Sequence, residues 1–156
     1  MWACDKGLEM AQTAQITAVI VTALNAVTAL AGAWAWWRAE TPPALWWLWR
    51  AAQLSTTALA AVAAVALVTG FDPPDGLFWL YMLLPIAVSI IAEQLRIAAA
   101  QNVLDQQGLA DAQAVGALPE HEQARVVDAI LARETAIVGL AALVVAILAV
   151  RVLMTV

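Results

Sequence analysis

Four long apolar runs leave this chain almost no freedom of class. Ala14–Trp37, Ala44–Thr69, Leu77–Ala100 and Ile130–Met154 each supply the ~20 predominantly apolar residues that a helix needs to cross the hydrocarbon layer. Inside lipid a backbone must satisfy its own N–H and C=O groups, and an uninterrupted apolar run of this length does so as a helix. With 64% hydrophobic residues and a mean hydropathy of +0.83 over 156 residues, little chain remains for a soluble domain. The expected fold is therefore all-α: a polytopic membrane protein with one transmembrane domain over residues 1–156. Its helices are expected at about 14–37, 44–69, 77–107 and 119–154.

The connections predict how these helices follow one another. Between the first two, six of the eight tryptophans crowd together as Trp34, Trp36, Trp37, Trp46, Trp47 and Trp49, flanked by Arg38 and Arg50. Indole rings prefer the headgroup zone, so this cluster marks a membrane–water boundary. Thr41 before Pro42 and Pro43 signals a helix start, because proline lacks an N–H yet tolerates the first turn. Phe71-Asp72-Pro73-Pro74-Asp75-Gly76 is an acidic turn on the opposite side, and Gly108 ends the third helix. Pro119-Glu120-His121-Glu122 has the proline and acidic first turn of a helix N-terminus. Short connections make successive helices antiparallel neighbours, and the third and fourth extend beyond the lipid as a hairpin. An Ala33-Trp34-Ala35 pattern stands near the end of the first run, where a leader could be cleaved, but that run is long for a cleaved leader, so it is read as an anchor.

Two stripes of small and weakly polar residues are candidate packing faces. On the first helix Gln15, Ala18, Thr22, Asn25, Thr28 and Gly32 recur at spacings of three or four, with Asn25 the strong amide at mid-depth. On the second, Ala52, Thr56, Ala60 and Ala64 repeat every fourth residue. Small residues let backbones approach closely in lipid, where no hydrophobic force drives helices together. Pro85 inside the third helix removes one backbone hydrogen bond and is expected to bend it.

The candidate site is a charged layer. Counting at about 1.5 Å per residue puts Glu93 and Arg96 of the third helix at the depth of Arg133 and Glu134 of the fourth, just inside the tryptophan-belted boundary. Their charges sum to zero, so pairing across the interface of these two helices is the economical arrangement, with Gln53 and Ser55 of the second helix completing the hydrogen bonding. Intramembrane ionisable groups are also functional candidates by default, so a polar vestibule for a lipid headgroup, an ion or a small amphiphile competes with an ion-pair network that fixes register. An arginine-paired carboxylate suits register or binding better than proton abstraction.

No catalytic, cofactor-binding or metal-ligating constellation follows. There is one cysteine, Cys4, and one histidine, His121, in a polar segment, so neither an internal disulfide nor a zinc or haem site is expected. The net charge of −5 without a basic cluster argues against nucleic acid.

Glu93-Gln94-Leu95-Arg96-Ile97-Ala98, followed by Gly108-Leu109-Ala110-Asp111-Ala112-Gln113-Ala114-Val115-Gly116, resembles four-span membrane proteins of high-GC bacteria. That family implies a fold but brings no activity with it. Glu93, Arg96 and Asn102 also resemble the Glu-Arg…Asn helix of the membrane glutathione and eicosanoid enzymes, although here the glutamate and arginine are not adjacent and the rest of that motif is missing.

The function expected from these features is that of an accessory, assembly or scaffolding subunit working through helix–helix contacts. Its partners would be membrane lipids and other membrane subunits, or a second copy. The alternatives are a small transporter or channel, a lipid-headgroup-binding protein, or a membrane enzyme on a lipophilic substrate using the Glu93/Arg96/Arg133/Glu134 layer. Arg38, Arg50, Arg96, Arg125 and Arg133 fall on the tryptophan-belted side, against Lys6 and Arg151 on the other. The positive-inside rule then makes the belted side cytoplasmic in an inner membrane, with both termini outside.

Overall fold

The computed structural model describes residues 2–73 and 75–155, leaving the side chains of residues 2–6 undescribed. The side chains of Cys4 and Lys6, and Pro74 of the acidic turn, therefore lie outside the described residues. Among the described residues five helices follow in order: α1 (Trp2–Arg38), α2 (Pro43–Val68), α3 (Phe78–Gln106), the short α4 (Ala112–Gly116) and α5 (Glu120–Thr155). Four of them are long and apolar enough to cross a membrane, so the chain is an all-α, multi-pass membrane protein. They form an up–down–up–down bundle in which α1 packs on α2 and α5, and α3 packs on α2 and α5. The diagonal pairs barely meet, so α5 and α2 each bridge α1 to α3.

Helix ends are set by one recurring device. After α1 the amide of Glu40 donates to Ala35 O at 3.2 Å and that of Ala39 to Trp36 O at 3.3 Å. Phe71 and Gly70 repeat this double bond after α2, and Leu109 and Gly108 after α3. In each case the last carbonyls are satisfied by a residue at positive φ. Gly70 (φ 71°) and Gly108 (φ 69°) take that conformation without strain, whereas Ala39 (φ 52°) takes it despite a β-carbon. The sequence offers no signal for Ala39; the two prolines confine the residue before them, Thr41, to extended backbone, so α1 cannot run on into α2. α3 runs unbroken through Pro85, which is buried in the bundle.

The buried residues follow a seven-residue repeat rather than a four-residue ladder. On α1 they are Ala14, Ala18, Val21, Asn25, Thr28, Gly32 and Ala35. On α2 they are Leu45, Trp49, Ala52, Thr56, Leu59, Ala63 and Ala66. On α3 the series is Phe78, Met82, Pro85, Ser89 and Ala92, and on α5 Thr135, Val138, Ala142, Val145, Ala149 and Val152. Alternating steps of four and three keep one seam facing its neighbours and give left-handed, coiled-coil-like packing, the commonest arrangement of transmembrane bundles.

This corrects the expected α2 stripe. A row taken every fourth residue advances about 40° around the helix at each step, so Ala52 and Thr56 are buried, Ala60 is half-buried and Ala64 faces lipid. On α1 Gln15 and Thr22 stand one position off the buried Ala14 and Val21, which leaves Gln15 exposed and Thr22 half-buried.

Gly32 marks a close approach of α1 to α5. A β-carbon placed there would stand 2.9 Å from Gly139 Cα of α5, whereas one on Gly139 would meet nothing nearer than 3.6 Å. Gly32 thus serves the internal α1–α5 contact, and Thr41 and Thr135 close its belted end through a hydroxyl–hydroxyl bond of 3.0 Å. The two glycines are expected to respond differently to alanine. Gly32→Ala should cost about 1–3 kcal/mol by forcing backbones apart, while Gly139→Ala should be neutral or stabilising by up to ~1 kcal/mol through helix propensity. Thermal unfolding in nanodiscs reads both; equal losses would contradict this crossing.

Candidate functional site

The expected charged layer is built from α2, α3 and α5, and its centre is Arg96. Glu93 and Arg96 lie one turn apart on α3, so their side chains share a face. Arg96 Nη1 donates to Glu93 Oε2 at 3.0 Å and Oε1 at 3.3 Å, and Nη2 donates to Glu134 Oε2 of α5 at 3.1 Å. One guanidinium thereby holds carboxylates from two helices, which the planar fork of arginine does and a lysine ammonium does not. The guanidinium also lies over the Trp46 ring, whose centroid is 4.6 Å from Arg96 Cζ. Cation–π contact of this kind strengthens as water is excluded. Arg96 Nε is buried without a partner among the described residues, so the guanidinium's hold rests on the two carboxylates and the indole.

α2 supplies the remaining hydrogen bonds. Trp49 Nε1 donates to Glu93 Oε1 at 2.8 Å, and Gln53 Nε2 donates to the same oxygen. Arg50 Nη1 donates to Gln53 Oε1 at 3.0 Å and stands 3.7 Å from Glu93 Oε1. The layer is thus neutral: Glu93 and Glu134 against Arg96 and Arg50. Burial grades outward from Trp49, which is fully buried, through the Arg96 and Glu134 side chains (16% and 17% exposed), to Arg50 at 65%.

Two of the expected layer residues sit elsewhere. Ser55 Oγ donates back to Ala52 O at 2.7 Å, the usual return of a helical serine to its own backbone. Arg133 is exposed and reaches Asn102 Oδ1 at 2.7 Å and Gln106 Oε1 at 2.9 Å on α3. Adjacent helical residues point about 100° apart, so Glu134 turns inward while its neighbour Arg133 turns to the outer rim. Asn102 belongs to that rim, not to the Glu93–Arg96 centre. Asn25, the mid-depth amide of α1, is buried and donates to Val21 O at 2.9 Å within its own helix.

Trp46, Trp49 and Arg50 are the members that sequence reasoning missed. All six clustered tryptophans read as a boundary belt, and four of them are one: Trp34, Trp36, Trp37 and Trp47 are each more than 60% exposed. Arg38 lies over the Trp34 ring at 5.0 Å. The signal that separates Trp49 is its spacing, since Leu45, Trp49, Ala52 and Thr56 continue the buried repeat.

Chemically, the arrangement binds itself. Both oxygens of Glu93 accept from protein donors, and the Arg96 fork is filled by Glu93 and Glu134. Among the described residues no three His, Cys, Asp or Glu side chains converge as metal ligands. No family model, curated protein or solved structure matches the chain.

Removing members should therefore grade with their place in the network. Glu93→Gln strands the Arg96 charge and should cost about 1–3 kcal/mol, and Trp49→Phe, which keeps the ring but loses the donor, about 1 kcal/mol. Arg133→Gln, on the exposed rim, should stay within roughly 0.5 kcal/mol of the parent. Thermal or denaturant unfolding in nanodiscs measures the series; an Arg133 effect as large as that of Glu93 would contradict the geometry.

Proposed function

We propose that this protein is an accessory or scaffolding subunit of a membrane assembly, with the bundle as its anchor and the α3–α5 hairpin as its contact arm. The observation that carries this reading is that α3 and α5 run on past the charged layer as one hairpin, continuous with the bundle and with buried side chains of its own. Beyond the charged layer, α3 continues for roughly 15 Å to Gln106 and α5 begins about 20 Å before Glu134. Val103 and Val126 are buried between them. Asp111 caps α4 through the Ala114 amide at 2.9 Å, and Gln123 Nε2 holds Leu118 O at 2.7 Å. The surface of the arm is predominantly acidic, with Asp105, Asp111, Glu120 and Asp128 exposed against Arg125. A stiff, charged helical pair suits docking of another subunit, and the ion-paired layer beneath it suits positioning rather than turnover.

In this reading the belted side faces the cytoplasm of an inner membrane, from the arginine distribution, and both termini lie outside. Cys4, the only cysteine in the sequence, tests the orientation: a membrane-impermeant maleimide labels it in intact spheroplasts, and labelling only after lysis reverses the topology.

Purification of the intact protein in nanodiscs, followed by mass spectrometry, tests the role. A protein partner at fixed stoichiometry is expected, lost when Asp105, Glu120 and Asp128 are changed together to lysine. A monodisperse monomer with a small molecule that is emptied by Glu93→Ala would overturn the scaffold reading in favour of a binding or catalytic layer.

A further inference from the structure

The α1–α5 crossing leaves a recess on its lipid-facing side. Because Gly32 and Gly139 bring the two backbones together, the floor between them is made of Ala29, Ala33, Ala136 and Gly139, and Leu30 and Leu140 stand up as walls. The recess holds about 570 Å³ and is lined almost wholly by carbon. That volume falls within the range of ligand pockets, about 300–1,000 Å³.

Its extent along the membrane normal decides what fits. On α1 it runs from Ala26 to Trp36 and on α5 from Thr135 to Ala146. Either distance is roughly 15–17 Å, which is half of a ~30 Å hydrocarbon layer. One end lies at the tryptophan belt and the other near the midplane. That reach, from the belt inward through about half of the layer, matches an acyl chain whose headgroup sits at the belt. The recess serves one leaflet only.

We propose that it is a binding site for a single acyl chain of a phospholipid in the leaflet on the tryptophan-belted side. The physical reason is packing. Bulk lipid and the recess are equally apolar, so no hydrophobic gain separates them, but an unfilled recess forfeits dispersion contacts along its whole lining. A chain lying between Leu30 and Leu140 restores those contacts and is held more firmly than one on a convex helix face. This site is independent of the charged layer and of the arm.

Native mass spectrometry of protein released from nanodiscs of palmitoyl-oleoyl phosphatidylcholine into delipidating detergent tests the proposal. The parent is expected to retain one phospholipid per chain. Ala33→Phe, which fills the recess from an exposed position, should lower retention roughly tenfold, equivalent to about 1.4 kcal/mol. Ala58→Phe on the exposed face of α2 is the control and should retain the lipid. Ala136→Leu fills the same floor from α5 and stands in should Ala33→Phe fail to fold. Equal retention by all variants, no retained lipid in the parent, or a protein partner or second copy displaced by Ala33→Phe would each overturn the acyl-chain assignment.

Discussion

The Arg96 guanidinium, gripped by Glu93 and Glu134 under the Trp46 ring, is the contact on which the rest of the bundle's register depends. A charge at membrane depth is tolerated only where protein surrounds it, and here partners from α2, α3 and α5 must all arrive at one level to do so. A slip of any one helix by a turn would carry its member about 5.4 Å away. The layer therefore fixes the relative heights of three helices near the belted boundary, while α1 carries none of its charges.

α1 is held by a different means. Lipid supplies no hydrophobic drive to pack it, so its place depends on close backbone approach. Gly32 on Gly139, the seven-residue repeat of small side chains, and the Thr41–Thr135 bond provide that contact. The same closeness hollows the outer face of the α1–α5 pair. A packing solution on the inside of the bundle thus creates a recess on its outside.

The class, the spans and most helix ends were legible because each rests on local chemistry: run length, Pro42-Pro43, Gly108, and the acidic start at Pro119-Glu120. The packing stripes were only partly so. A ladder of alanines every fourth residue looks continuous in sequence, yet the helix turns it away from the seam, and Ala64 ends in lipid while Leu59 and Ala63 take its place. Depth along the helices was readable to about a turn, which is why Glu93, Arg96 and Glu134 could be put in one layer. Azimuth was not, because which of Arg133 and Glu134 faces inward depends on how α5 is rotated against α3. Trp49 was hidden for a further reason: tryptophans near a boundary have a ready explanation as a belt, and only the buried repeat on α2 distinguishes the one that turns inward.

The most direct test of the layer as an architectural lock is a double-mutant cycle on Arg96→Gln and Glu134→Gln, measured by unfolding in nanodiscs. Each single change leaves a partner stranded, so the account predicts that the double variant loses less than the two single losses combined, by about 1–2 kcal/mol. Additive losses, or single variants as stable as the parent, would contradict it.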